Sequence, residues 1–119
     1  PLRDVYKRQD QGRWPRATRE EVIFRLSVRA EADLAEIWVY SAEQWNLEQA
    51  DRYIDALLSR FDWLCDNPQL WKSRPDITEG LYSYPQQSHV IYFRALGDPP
   101  GLIEIVRVLH GRMEPARHV

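Results

Sequence analysis

The chain has 119 residues, 44% of them hydrophobic, with 16 basic and 18 acidic side chains and a formal net charge of -2, enough for one hydrophobic core but not for two. Its longest apolar runs, Val90 to Phe93 and Leu102 to Leu109, the second broken by Glu104 and Arg107, are far too short to span a bilayer, so no membrane segment is expected. The single cysteine, Cys65, excludes an internal disulfide, and no Cys or His cluster has the spacing of a metal site; the chain reads as cytoplasmic, with no metal or other cofactor.

The small net charge hides a segregation along the chain. Residues 1 to 29 hold eight basic and four acidic groups, residues 30 to 66 two and nine, and residues 67 to 119 six and five. An acidic middle repels phosphate, so any nucleic-acid contact falls to the terminal parts. The plainer use of those nine carboxylates is a solvated face.

Taken in chain order, residues 1 to 20 lack apolar periodicity and carry Gly12, Pro15 and many arginines. They read as a disordered or non-native extension, with VYKRQ resembling translated adapter sequence. A basic arm for nucleic acid is the alternative. Val22 to Leu26 is β-rich, and Ser27 stands where a helix N-cap belongs. Leu34, Ile37, Trp38, Ser41 and Trp45 then recur at helical spacing on one face. Asn46 with Gln49 forms a capping-box pattern ahead of a second stripe, Leu47, Ala50, Ile54, Leu57, Phe61 and Leu64. With almost no linker between them, the two helices fold back as an antiparallel hairpin whose stripes need a sheet to cover. Asn67-Pro68 ends the second helix. A polar connection through Lys72, Ser73, Arg74, Pro75 and Asp76 leads to strands Leu81 to Tyr84, His89 to Ala95 and Leu102 to Leu109, the last two joined by the turn residues 97 to 101. The expected class is α+β, in the order β-α-α-β-β-β, with the hairpin on one face of a small, mainly antiparallel sheet. The folded domain runs from 21 to 114, and residues 115 to 119 are a tail.

Chemistry concentrates near the last strand. Ile103, Ile105, Arg107 and Leu109 alternate on one face, and Arg107 interrupts it with a permanent charge that wants an anion. His110 and Arg112 follow, and Arg94, Lys72 and Arg74 are placed to converge on the same end of the sheet. The functional reading is a cationic surface for phosphate or for an acidic partner. The structural reading pairs Arg107 with Glu104 or another carboxylate at a sheet edge. Trp63 flanks the second stripe and Trp71 lies in a polar loop, so either is a core residue or an anchor for a partner chain. Cys65 reads as a small core residue. No Ser-His-Asp order, Gly-rich phosphate loop or paired catalytic carboxylates stands out.

The segments RLSVRAEADLAEIWVY, WNLEQADRYIDALLSRFDWL, NPQL, SRPDI, HVIYFR and IEIVRVLHGRME resemble, in order and spacing, ParE-type toxins of the RelE/ParE superfamily, over roughly Val22 to Glu114. VRVLHGRME is the most specific part. The resemblance implies the RelE/ParE-like fold, a helical hairpin on a small antiparallel sheet. It also implies the toxin of a type II toxin–antitoxin system of the plasmid-stabilisation kind, neutralised as a hetero-oligomer with a ParD-like antitoxin and directed at DNA gyrase by binding rather than by a reaction of its own. Arg107, His110, Arg112, Arg94, Lys72, Trp63 and Trp71 are then the candidates for contact with target or antitoxin. Two alternatives stay open: a RelE-type ribosome-dependent endoribonuclease using Arg74, Arg107 and His110, and an inactive remnant that binds antitoxin alone. Val28, Trp71 and Tyr82 depart from the residues usual at those places, proline, glycine and arginine respectively.

Overall fold

The computed structural model describes residues 6–7, 22–98 and 100–119. In chain order these form β1 (Tyr6–Lys7), β2 (Val22–Leu26), α1 (Val28–Gln44), α2 (Leu47–Asp66), a 3₁₀ turn at Pro68–Leu70, β3 (Lys72–Ser73), β4 (Tyr82–Gln86), β5 (His89–Ala95), β6 (Ile103–His110) and a second 3₁₀ turn at Pro115–Arg117. The strands make one sheet in the order β1-β2-β6-β5-β4-β3. All neighbours are antiparallel except β2 and β6, which run parallel with Phe24 beside Ile103 and Leu26 beside Ile105. The α+β class, the helical hairpin and the order of the main elements agree with the sequence reading. The extension assigned to residues 1–20 lies outside the described residues except for Tyr6–Lys7, which pairs with β2 at the sheet edge.

The helices start where their caps place them. The Ser27 hydroxyl accepts the Ala30 N–H at 2.9 Å and donates to the Val106 carbonyl at 2.8 Å, so one side chain both caps α1 and ties it to β6. The Asn46 side chain accepts the Gln49 N–H at 2.7 Å and opens α2 only two residues beyond the end of α1. The inner stripes of both helices pack on the sheet through Leu34, Ile37, Leu57, Phe61 and Leu64, which meet Phe24, Ile91, Phe93, Ile103 and Ile105; Phe24 meets Phe61 edge-on at 5.3 Å. Burying such side chains is the main favourable term, roughly 1.5–3 kcal/mol for each.

The stripes end sooner than their periodicity suggests. Trp45 and Leu47 are 64% and 62% exposed, because they flank the tight turn between α1 and α2, where the chain has passed beyond the sheet. Lys72–Ser73, expected within a loop, pairs with β4 as a two-residue edge strand. The loop between β5 and β6 is bracketed by Gly97 and Gly101 at φ +89° and +91°, a backbone region that side chains with a Cβ rarely enter.

A register shift corrects the assignment of faces on β6. Tyr92 pairs with Arg107 and Phe93 with Ile105, leaving Val106 as an extra residue. The alternation therefore resets, so Val108 joins Ile103 and Ile105 in the core under the helices. Leu109 turns to a smaller cluster on the opposite face, with Leu81 and Tyr92. That cluster is closed by Ile77, Val90, Val106 and Val119, so the last residues, expected to be a tail, pack against the sheet.

Candidate functional site

The bulge on β6 brings Arg107 to α1. Its Nε and Nη2 donate to the two carboxylate oxygens of Asp33, each at 2.8 Å, and the Val108 N–H donates to the same carboxylate at 2.9 Å. Both side chains are largely buried, at 15% and 10% relative exposure. The remaining edge of the guanidinium donates through Nη1 to the His118 carbonyl at 2.8 Å, which also accepts from Arg29 at 3.3 Å. Arg107 therefore locks helix, strand and C-terminal segment together, a bidentate geometry that lysine cannot reproduce. Its pKa is raised, first by the hydrogen bonds it donates to Asp33. The anion it needs is Asp33, whereas Glu104 lies near Arg94 at 4.0 Å.

Beside this pair opens a cleft of about 430 Å³ between α1 and the end of β6. All three histidines of the chain line it, together with Glu36, Tyr40 and Met113. His89 and His110 are cross-strand partners with rings 5.5 Å apart, edge to face. The Tyr53 hydroxyl and His89 Nδ1 share a hydrogen bond at 2.6 Å, and His110 Nδ1 accepts the Arg112 N–H at 3.1 Å. Burial lowers the His89 pKa, and the neighbouring His110 adds to the effect; burial raises that of Tyr53. Both shifts favour the uncharged forms.

The other residues singled out by sequence do not gather here. In register, Lys72, Ser83, Tyr92 and Arg107 form one row across four strands, which sets Lys72 on the order of 14 Å from Arg107 along the backbone. Arg74 donates to Asp76 through Nε and Nη2 at 3.1 and 3.0 Å and to Ser83 at 3.2 Å, and its guanidinium lies 6.0 Å from the Tyr92 ring. The same contacts lower the Asp76 pKa. Arg94 pairs with Glu104 near the start of β6, at the opposite end from His110. The expected convergence of Arg94, Lys72 and Arg74 with Arg107 is therefore corrected: strand register fixes them at separate places. Arg107 and His110 share the cleft, and Arg112 is exposed in the turn beyond it.

Trp63 and Trp71 are both partly buried, each held by contacts within the chain. Trp71 donates to the Leu64 carbonyl at 2.7 Å and packs on Tyr82 and Phe93. Trp63 packs on Tyr84, with the Arg60 guanidinium 4.5 Å over its ring. The site residues that sequence reasoning missed are Asp33, Glu36, Tyr40, Tyr53, His89 and Met113. One signal was available: Val39 and Tyr40 are apolar positions off the inner stripe of α1. Among the described residues no group of histidine, cysteine or carboxylate side chains is arranged to hold a metal ion, and no helix is long and apolar enough to cross a membrane.

Comparison with known proteins places this geometry. The family model described as ParE toxin of type II toxin-antitoxin system, parDE, matches residues 24–115, from β2 through the turn beyond β6. The chain is 33% identical over 96 residues to Toxin ParE1 of Mycobacterium tuberculosis (strain ATCC 25618 / H37Rv), covering 81% of this chain and 96% of that one. It is 34% identical over 97 residues to Toxin ParE1 of Caulobacter vibrioides, with the same coverage. A chain of a solved structure, the chromosomal ParDE TA system from P. aeruginosa, superposes with a TM-score of 0.62 at 19% identity, covering 73% of this chain and 92% of that one. With the family match spanning the strand, hairpin and sheet that build the site, the chain belongs to the ParE toxin family of type II toxin–antitoxin systems.

Proposed function

We propose that this chain is the toxic partner of a two-protein pair, held silent in the cytoplasm by a ParD-like antitoxin and acting, when released, by trapping DNA gyrase on cleaved DNA. The observation that carries the reading is the ParE match over residues 24–115. The relatives named Toxin ParE1 support the toxic role, and the likeness to a chain of a ParDE system supports a hetero-complex with antitoxin.

The arrangement of charge favours action by binding over catalysis. A phosphoryl-transfer site needs cations and a proton carrier aimed at one point. Here Arg107 on β6 is neutralised by Asp33, and Arg74, in the loop after β3, by Asp76. His110 and Arg112, together at the end of β6, are the exposed groups offered to a target.

The test is purified gyrase with the full chain, read as loss of supercoiling and gain of linear, cleaved plasmid. Stabilised cleavage that Arg112→Ala weakens several-fold supports the gyrase reading. Unaffected gyrase with messages cut on translating ribosomes moves the chain to the RelE type of action. Normal growth and inactivity in both assays would make it an antitoxin-binding remnant.

A further inference from the structure

The cleft beside Arg107 continues along α1 into a second hollow of about 300 Å³ lined by Ala35, Glu36, Val39, Tyr40 and Glu43, and the two share the walls Glu36 and Tyr40. Together they form a trough with an apolar floor: Tyr40 is 60% exposed, Val39 48% and Met113 46%. Three such side chains beside one helix form an apolar surface of the kind that marks an interface.

The sign of the trough's charge follows from which groups are already neutralised. Arg107 is saturated by Asp33 and the His118 carbonyl. Burial disfavours a positive charge on His89. Glu36 and Glu43, both exposed, have no ion-pair partner among the described residues. The trough is therefore apolar with two carboxylates that hold no ion pair among the described residues, Glu36 lying within electrostatic reach of Arg107, a surface that repels phosphate and acidic peptides and favours cations.

We infer that this trough receives a cationic amphipathic segment of the antitoxin, its apolar side chains covering Val39, Tyr40 and Met113 and two Lys or Arg residues meeting Glu36 and Glu43. The inference rests on the toxin–antitoxin reading above and specifies the chemistry of the partner. It also sets a spacing. Seven residues along α1 separate the two carboxylates by about 10 Å, which a partner helix matches with cations seven apart on one face.

The test pans a phage library of random 16-residue peptides against the immobilised full chain. The best binders are then titrated as fluorescein-labelled synthetic peptides by anisotropy. Expected binders carry two basic residues at that spacing with apolar residues between them. Their affinity should fall about tenfold or more for the Glu36→Gln/Glu43→Gln double variant, fall similarly for Tyr40→Ala, and weaken with added salt. Both glutamates lie on the exposed face of α1, so the double variant should keep its thermal melt; Glu43→Gln alone gives the reading if it does not. Binders that are acidic or uncharged, or cationic binders indifferent to the glutamine substitutions, overturn the inference. Gyrase trapping is measured separately on the wild-type chain. Failure there removes the toxin reading, whereas failure of the peptide result with gyrase still trapped removes this inference alone.

Discussion

Replacing Asp33 by Asn would leave Arg107 without its counter-charge in a largely buried setting, and replacing Arg107 by Gln would strand the carboxylate in the same way. Each change is expected to cost roughly 2–4 kcal/mol, less than a fully enclosed pair because both side chains retain some solvent contact. The double variant should cost clearly less than the sum, a coupling of about 1–3 kcal/mol measurable by urea denaturation of all four proteins. Additive losses would show that the two residues act independently. His89 makes a prediction about pH. Its folded pKa lies below the ordinary value, so the unfolded chain takes up the proton more readily. Its contribution is fully present above about pH 6.5 and is lost as the pH falls from there toward the lower folded pKa. Urea midpoints between pH 7.5 and 5 should therefore drop less in His89→Gln than in the wild type.

At the scale of elements, the start of α1 depends on a hydroxyl with two duties. Ser27→Ala removes both the cap on Ala30 and the bond to the Val106 carbonyl; a loss of about 1–2 kcal/mol is expected in thermal or chemical unfolding, against little change for an exposed serine. The loop into β6 has a similar single point of control. A Cβ at Gly101 would sit 3.0 Å from the Cys65 carbonyl oxygen in a backbone region unfavourable to any side chain, so Gly101→Ala should cost about 1–3 kcal/mol. Gly97 has a similar φ but open space around it, and Gly97→Ala should cost less. Ranking the two variants by melting temperature separates crowding from conformational strain. The caps themselves were legible in the sequence, since Ser27 and Asn46 act within three residues along the chain. The second duty of Ser27 was not, because its partner Val106 lies on another element.

For the whole molecule, position relative to the sheet decides what a hydrophobic side chain is worth. Phe61, fully buried against Phe24, should cost about 3–5 kcal/mol when replaced by Ala. Trp45 belongs to the same kind of periodic pattern but lies beyond the sheet, so Trp45→Ala should stay within about 0.5 kcal/mol in a urea titration. The contrast shows how far the sequence reached. Periodicity, caps and breakers act over a few residues, so the hairpin, the three main strands and the α+β class could be read directly from it. The motif-bearing segments pointed to the ParE family, which the family match then established. Long-range register could not be read, because it is set by competition among side chains distant in sequence. The bulge at Val106 reversed the assignment of Leu109, while strand pairing separated Arg74, Lys72 and Arg94 from Arg107. Folding also turned Asp33, one of nine carboxylates in the acidic middle, into the counter-ion of Arg107 across a separation of 74 residues. The sequence by itself determined the elements, their order and the family; tertiary structure decided which charges were neutralised and which, like Glu36 and Glu43, hold no ion pair among the described residues, because only the folded chain brings opposite charges within hydrogen-bonding distance.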